Sequence, residues 1–219
     1  MSNLDSVMQQ ARQASENFQA PVPVSSNDNA ISTVGGGIGS IDNFMGNSGI
    51  VVDEYLLPKT EGLKISSEMK GLLDEVIVEI DMTQVVPIAQ IRCNTGGNTT
   101  FIKSYDGATT SAGENLQTAL MNARKTFEKV DGPYKTVEIP MVLVDDVKDP
   151  KSTLVFDAGT EIGYTPSLTG FKEFQKFWKK LQKQDPALLS ETVKVKVSHL
   201  KRTNRNNNEW GVCVFELAE

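Results

Sequence analysis

The chain has 219 residues, of which 39% are hydrophobic and 23% charged, enough for one ordinary domain with a tail. A mean hydropathy of -0.27, with no run near the roughly 18 apolar residues of a membrane helix, excludes a membrane-helix protein. Two distant cysteines, Cys93 and Cys213, and a single histidine exclude a Cys/His zinc site and speak against a disulfide scaffold.

The net charge of -6 is uneven. Residues 1–159 carry 12 Lys+Arg against 21 Asp+Glu, whereas residues 160–219 carry 10 against 7. A basic final quarter on an acidic chain points to an anionic partner for one face. The N-terminus lacks a basic segment followed by an apolar one, so no secretory signal is expected, and a reducing, cytoplasmic setting is.

Residues 1–19 have weak helical spacing in Leu4, Val7, Met8, Ala11 and Ala14. Residues 20–49 are dominated by Gly, Ser, Asn and Pro, so residues 1–49 read as a flexible arm before a domain at 50–219. Ile50–Asp53 is a short β-prone run. Residues 72–82 alternate, with Val76, Val78, Ile80 and Met82 on one side. Residues 86–94 and 99–105 flank Gly96-Gly97, a two-residue hairpin signal. A helix is predicted over 113–129 from Leu116, Ala119, Leu120, Ala123 and Phe127. Residues 134–145 predict a strand that Pro140 confines to an edge or a bulge. Short strands at 152–157 and 160–165 precede the clearest helix, 168–183, capped by Ser167 or Thr169. Residues 191–202 and 209–217 form a closing hairpin. Many strands with two inserted helices and no strict βαβ alternation predict a β-rich α+β fold, with a closed or partly open barrel as its architecture.

The Gly96-Gly97 hairpin carries the sharpest functional signal. With those glycines as the turn, Ile91 opposes Ile102 and Arg92 opposes Phe101; Gln90 opposes Lys103 and Ile88 opposes Tyr105. One face is then small and apolar, with Ile91, Ile102 and Cys93. The other interleaves Arg92, Phe101, Lys103 and Tyr105. Bases stack on rings while cations hold phosphates, which is the composition of a single-stranded nucleic-acid groove. The bland reading makes Phe101 and Tyr105 the core of a second layer with the cations at its rim; both readings stand at this point.

The helix at 168–183 has Phe171, Phe174, Phe177 or Trp178, and Leu181 as an apolar stripe. Its lysines form either a solvated face or an extension of a phosphate-binding surface. In the closing hairpin, Lys194 and Lys196 alternate with valines, and Lys201, Arg202 and Arg205 lie in or beside an Asn-rich loop. These five cations read either as a cover over a phosphate backbone or as an ordinary exposed hairpin. The acids Asp145, Asp146 and Asp149, and Asp74, Glu75, Glu79 and Asp81, are the enzyme-like clusters. Neither completes a metal motif, so no catalytic residue, metal or cofactor is expected.

The order of elements, with the phrases KSYDG, EIPMVLVDD, GTEIGYTPSLTGFKEFQKF and EWGVCVFEL, resembles the OB-fold single-stranded DNA-binding proteins of tailed bacteriophages. The likeness covers residues 50–219. It implies an OB-like five-stranded barrel elaborated with extra strands and two inserted helices. It also implies sequence-tolerant protection of single strands during phage DNA replication or recombination, in the bacterial host cytoplasm. Arg92, Phe101, Lys103 and Tyr105 carry over as the binding face, and replication or recombination proteins as partners. The rival expectation is a non-enzymatic phage structural or host-factor-interaction protein. Oligomeric state and DNA-versus-RNA preference stay open.

Overall fold

The computed structural model describes residues 50–218. The expected arm and its weak helix lie outside the described residues. In chain order the elements are β1 (Glu54–Tyr55), β2 (Leu57–Lys59), β3 (Gly62–Lys64), β4 (Glu75–Asp81), β5 (Val86–Thr95), β6 (Asn98–Ser104) and α1 (Leu116–Thr126). Next come β7 (Lys129–Leu143), β8 (Val147–Lys148), β9 (Val155–Phe156), β10 (Glu161–Tyr164), α2 (Leu168–Gln184), β11 (Thr192–Thr203) and β12 (Glu209–Leu217). The fold is β-rich α+β, a mixed sheet with two α-helices among the described residues.

One path runs β1-β10-β7-β4-β11-β12, and β5 and β6 extend from the first half of β7. The path is open: no ladder joins β1 to β12 among the described residues. The alternation read in 72–82 holds, because Val76, Val78, Ile80 and Met82 are all buried. β4 lies between β7 and β11, so its inward side must be apolar. Across from it Val193, Val195 and Val197 of β11 are buried as well. α2 seals this core with Phe174, Phe177 and Leu181, and Phe174 meets Phe215 of β12 edge-on at 5.4 Å between ring centroids. Ser167 is the cap, its hydroxyl accepting the Gly170 N–H at 3.3 Å.

Pro140 does not lie at an edge. β7 has β10 on one side, where Pro140 opposes Gly163, and exchanges β5 for β4 along its length. The β5 ladder ends at Glu138 and the β4 ladder starts at Val142, with the Met82–Gln84 turn bridging the two partner strands. Pro140 falls in that gap, where its missing N–H costs no bond to either partner.

A second, smaller core lies under the hairpin. Ile91 and Cys93 of β5 pack with Leu116, Leu120 and Ala123 of α1, and Ile102 closes it from β6. Asn115 caps α1 by accepting the N–H groups of Gln117 and Thr118.

Two of the acids singled out by sequence are structural. The Asp81 carboxylate accepts the Thr83 N–H and hydroxyl and so caps the turn after β4. Asp149 is buried, and its carboxylate accepts the N–H groups of Lys70 (2.8 Å), Gly71 (2.7 Å) and Lys151 (2.9 Å), plus the Ser152 hydroxyl at a shorter distance. Burial alone would raise its pKa. The Ser152 hydroxyl and the three backbone donors outweigh burial and hold the carboxyl well below the usual range. A carboxyl depressed in the folded state stabilises above its unfolded pKa of about 3.9 and loses that contribution as pH falls through the folded value. Asp149→Asn should therefore be less stable than the parent at neutral pH, and the gap should narrow steadily below about pH 4. Urea unfolding across that range is the check; a gap independent of pH would remove Asp149 as the tie between the Lys70–Gly71 loop and the β8–β9 hairpin.

Candidate nucleic-acid interface

The β5–β6 register is the one expected from the glycine turn. Ile91 opposes Ile102, Arg92 opposes Phe101 and Gln90 opposes Lys103. Gly96 and Gly97 have φ of 56° and 85°, the left-handed pair a two-residue hairpin turn needs. β7 adds a third strand, with Asp131 beside Arg92, Tyr134 beside Gln90 and Thr136 beside Ile88. The face turned away from α1 thus has three rows. They are Phe101–Arg92–Asp131, Lys103–Gln90–Tyr134, and Ile88–Thr136 with Tyr105 just past the end of β6.

These rows differ in exposure. At the hairpin end Phe101 is 46% exposed and Arg92 is exposed. Toward the middle the face closes. Glu138 has no exposed surface and holds three donors: the Lys103 ammonium, the Tyr105 hydroxyl at 3.1 Å and the Ile50 N–H at 3.2 Å. Lys103 and Tyr105 are therefore half-buried and pinned. Lys103 is therefore not a free cation: it sits among rings because a buried carboxylate neutralises it. Burial raises the Tyr105 pKa, and the adjacent Glu138 charge raises it further.

Two more rings join the face. The Lys103 ammonium stands 5.9 Å from the Tyr55 ring centroid. The Tyr134 hydroxyl accepts the Gln90 side-chain N–H at 2.9 Å, and burial raises its pKa against a smaller opposing pull from Gln90 and Arg92. Sequence reasoning missed both. Tyr134 follows Gly132-Pro133, which reads as a turn, and Tyr55 lies in a strand of two residues, too short for a period. Glu138 was missed also: an acid in the middle of a strand otherwise predicted apolar is the signal that could have found it.

The C-terminal cations lie elsewhere. β7 and β4 separate β5 from β11 in the strand order. Lys194 is exposed opposite Glu79, and Lys196 lies 3.5 Å from Glu216 and 3.9 Å from Glu75. Lys201 bonds Glu209 at 2.8 Å and Glu61 at 3.3 Å, and these two acids raise its pKa in that order. Arg202 bonds Glu173 of α2, and Arg205 is exposed. The structure thus gathers Arg92, Phe101, Lys103 and Tyr105 on one face and leaves Lys194, Lys196, Lys201, Arg202 and Arg205 on the β11–β12 hairpin.

Among the described residues no group of three or more His, Cys, Asp or Glu side chains converges as metal ligands. Cys93 and Cys213 are both free and buried, and burial pushes the Cys213 thiol up to about 12. No described helix is long and apolar enough to cross a membrane.

The buried pair separates the two ends of the face. Lys103→Met leaves Glu138 without its cation and should cost about 3–5 kcal/mol. Pairing it with Glu138→Leu should recover most of that loss. Phe101→Ala should change stability by roughly 1 kcal/mol or less, because the ring is half in water. Chemical denaturation of the four proteins decides this; equal costs for Lys103→Met and Phe101→Ala would mean that the Glu138 network is not what holds the face.

No protein-family model matches the chain, and neither a curated protein nor a solved structure matches it.

Proposed function

We propose that the chain binds single-stranded DNA, without sequence preference, across the β6–β5–β7 face, as a non-catalytic protector of single strands in phage replication or recombination. The observation that carries this reading is Phe101, a ring 46% exposed on a regular strand beside the exposed Arg92. Fully burying a side chain of this size is worth about 1.5–3 kcal/mol, and leaving nearly half of it in water forgoes roughly half of that. A stacked base recovers much of it, and the guanidinium opposite supplies the contact for the flanking phosphate. Tyr134 and Tyr105 line the continuation of the same face and extend the stacking platform inward. On this reading the sheet is an elaborated OB-type scaffold, supported by its mostly antiparallel strands around one main core and by the inserted β5–β6 hairpin, which α1 backs from the side away from the face. Replication or recombination proteins are the proposed partners.

Fluorescence anisotropy with oligo-dT at two salt concentrations tests the reading. Binding should weaken as salt rises, as counterion release requires. Phe101→Ala should lose about 1–3 kcal/mol of affinity with its melting temperature nearly unchanged. Arg92→Gln should lower the salt slope by about 0.7, the value for one phosphate on a single strand. Absence of binding at low salt with protein in excess would sink the proposal and favour a protein-interaction role.

A further inference from the structure

We propose that the outer face of α2 is a second track for the phosphates of the same strand; this rests on the single-strand reading above. The inner side of α2 buries Phe174, Phe177 and Leu181. At 3.6 residues per turn, Lys172, Lys176, Lys179, Lys180 and Lys183 fall on the opposite side, within roughly a third of the circumference. All five are exposed. The one acid in the helix, Glu173, is already held by Lys176 at 2.9 and 3.0 Å and by Arg202. Among the described residues, Lys172, Lys179, Lys180 and Lys183 have no carboxylate within bonding reach.

Composition does not account for this stripe. The chain has 28 acids and 22 Lys+Arg, and within residues 160–219 five of the 10 basic residues fall on this one helix against one of the 7 acids. The pairs Lys172/Lys176, Lys176/Lys180 and Lys179/Lys183 stand one turn apart, where like charges repel and destabilise a helix. A single glutamate would relieve the strain. A phosphodiester backbone turns each repulsion into an attraction, and such contacts need no base reading.

Position supports the same partner. Thr136, in the innermost row of the β5–β6–β7 face, donates its buried hydroxyl to the Pro166 carbonyl at 2.8 Å. Pro166 directly precedes the Ser167 cap, so the face and the first turn of α2 adjoin. That turn is the positive end of the helix dipole, and Leu168 there is 51% exposed. On the proposed path a strand leaving the face rounds the edge of the sheet at Pro166 to the side that α2 covers, and there meets the lysine stripe. The stripe then continues for roughly 16 Å at 1.5 Å per residue.

The test titrates the full chain with labelled oligo-dT of about six and of about thirty nucleotides, lengths below and above the span of one such site. Two variants are compared: Lys172, Lys179, Lys180 and Lys183 all to Gln, and the milder Lys179→Gln with Lys183→Gln. The expected result is unchanged binding of the short oligonucleotide and roughly ten-fold weaker binding of the long one, with a salt slope lower by about 0.7 for each engaged lysine. No loss on the long oligonucleotide, or an equal loss on both, overturns the track while leaving the Phe101 face in place. Failure of the parent protein to bind either oligonucleotide overturns the single-strand reading and the track with it.

Discussion

A charge sealed from water must be paired or it costs several kcal/mol, and Glu138 is such a charge in the middle of the sheet. It stands where β7 exchanges one partner strand for another. β5 ends its ladder at Glu138, Pro140 has no N–H to offer, and β4 begins at Val142. At that junction the side chain faces the hairpin, and Lys103 and Tyr105 are drawn down onto it. The rings and cations of the face are thereby set before any ligand arrives. Tyr105 cannot swing freely while its hydroxyl is held, so on the proposed reading a stacking base would cost it less side-chain entropy.

The same accounting sorts the other cations. Lys103 is committed to a carboxylate that water does not reach, and a passing phosphate cannot displace it cheaply. Arg202 is held by Glu173, whose side chain is largely buried. Lys196 and Lys201 are paired at more open sites, where such pairs are worth about 0–1 kcal/mol. A polyanion can compete for those. Arg92, Arg205 and four lysines of α2 need not give up a partner at all among the described residues. Other cations are likewise without an ion pair among the described residues, but four fall on α2 between Lys172 and Lys183, so the pull on a polyanion is densest there.

What was legible in the sequence follows from what sets each feature. The hairpin register was legible because two glycines with positive φ fix it locally, and alternation does the rest. α2 was legible because its apolar stripe recurs at helical spacing within the 17 residues that follow the Ser167 cap. Residues 54–64 were not, because β1, β2 and β3 are two or three residues long and show no period. The start of β7, residues 129–133, was hidden by Gly132-Pro133; Tyr134 fell inside the predicted strand, but its pairing with Gln90 was not readable without that start. The partners of Lys103 and Arg202 are 35 and 29 positions away along the chain, and the second partner of Lys201, Glu61, is 140 away, so only the folded arrangement reveals which cations are neutralised.

The hairpin also places the residues that hold the small core and those of the outer face on opposite sides of one ribbon. Ile91 and Cys93 point to α1 and are sealed, while Arg92 between them points the other way into solvent. A slip of one residue in the ladder would exchange these sets, burying a guanidinium against Leu116 and Leu120 and exposing two apolar side chains. The penalty for that slip is what holds Phe101 outward. The small core under α1 and the exposed ring above it are therefore consequences of one register, set at Gly96-Gly97, and the aromatic-basic face owes its composition to the demands of the apolar side behind it.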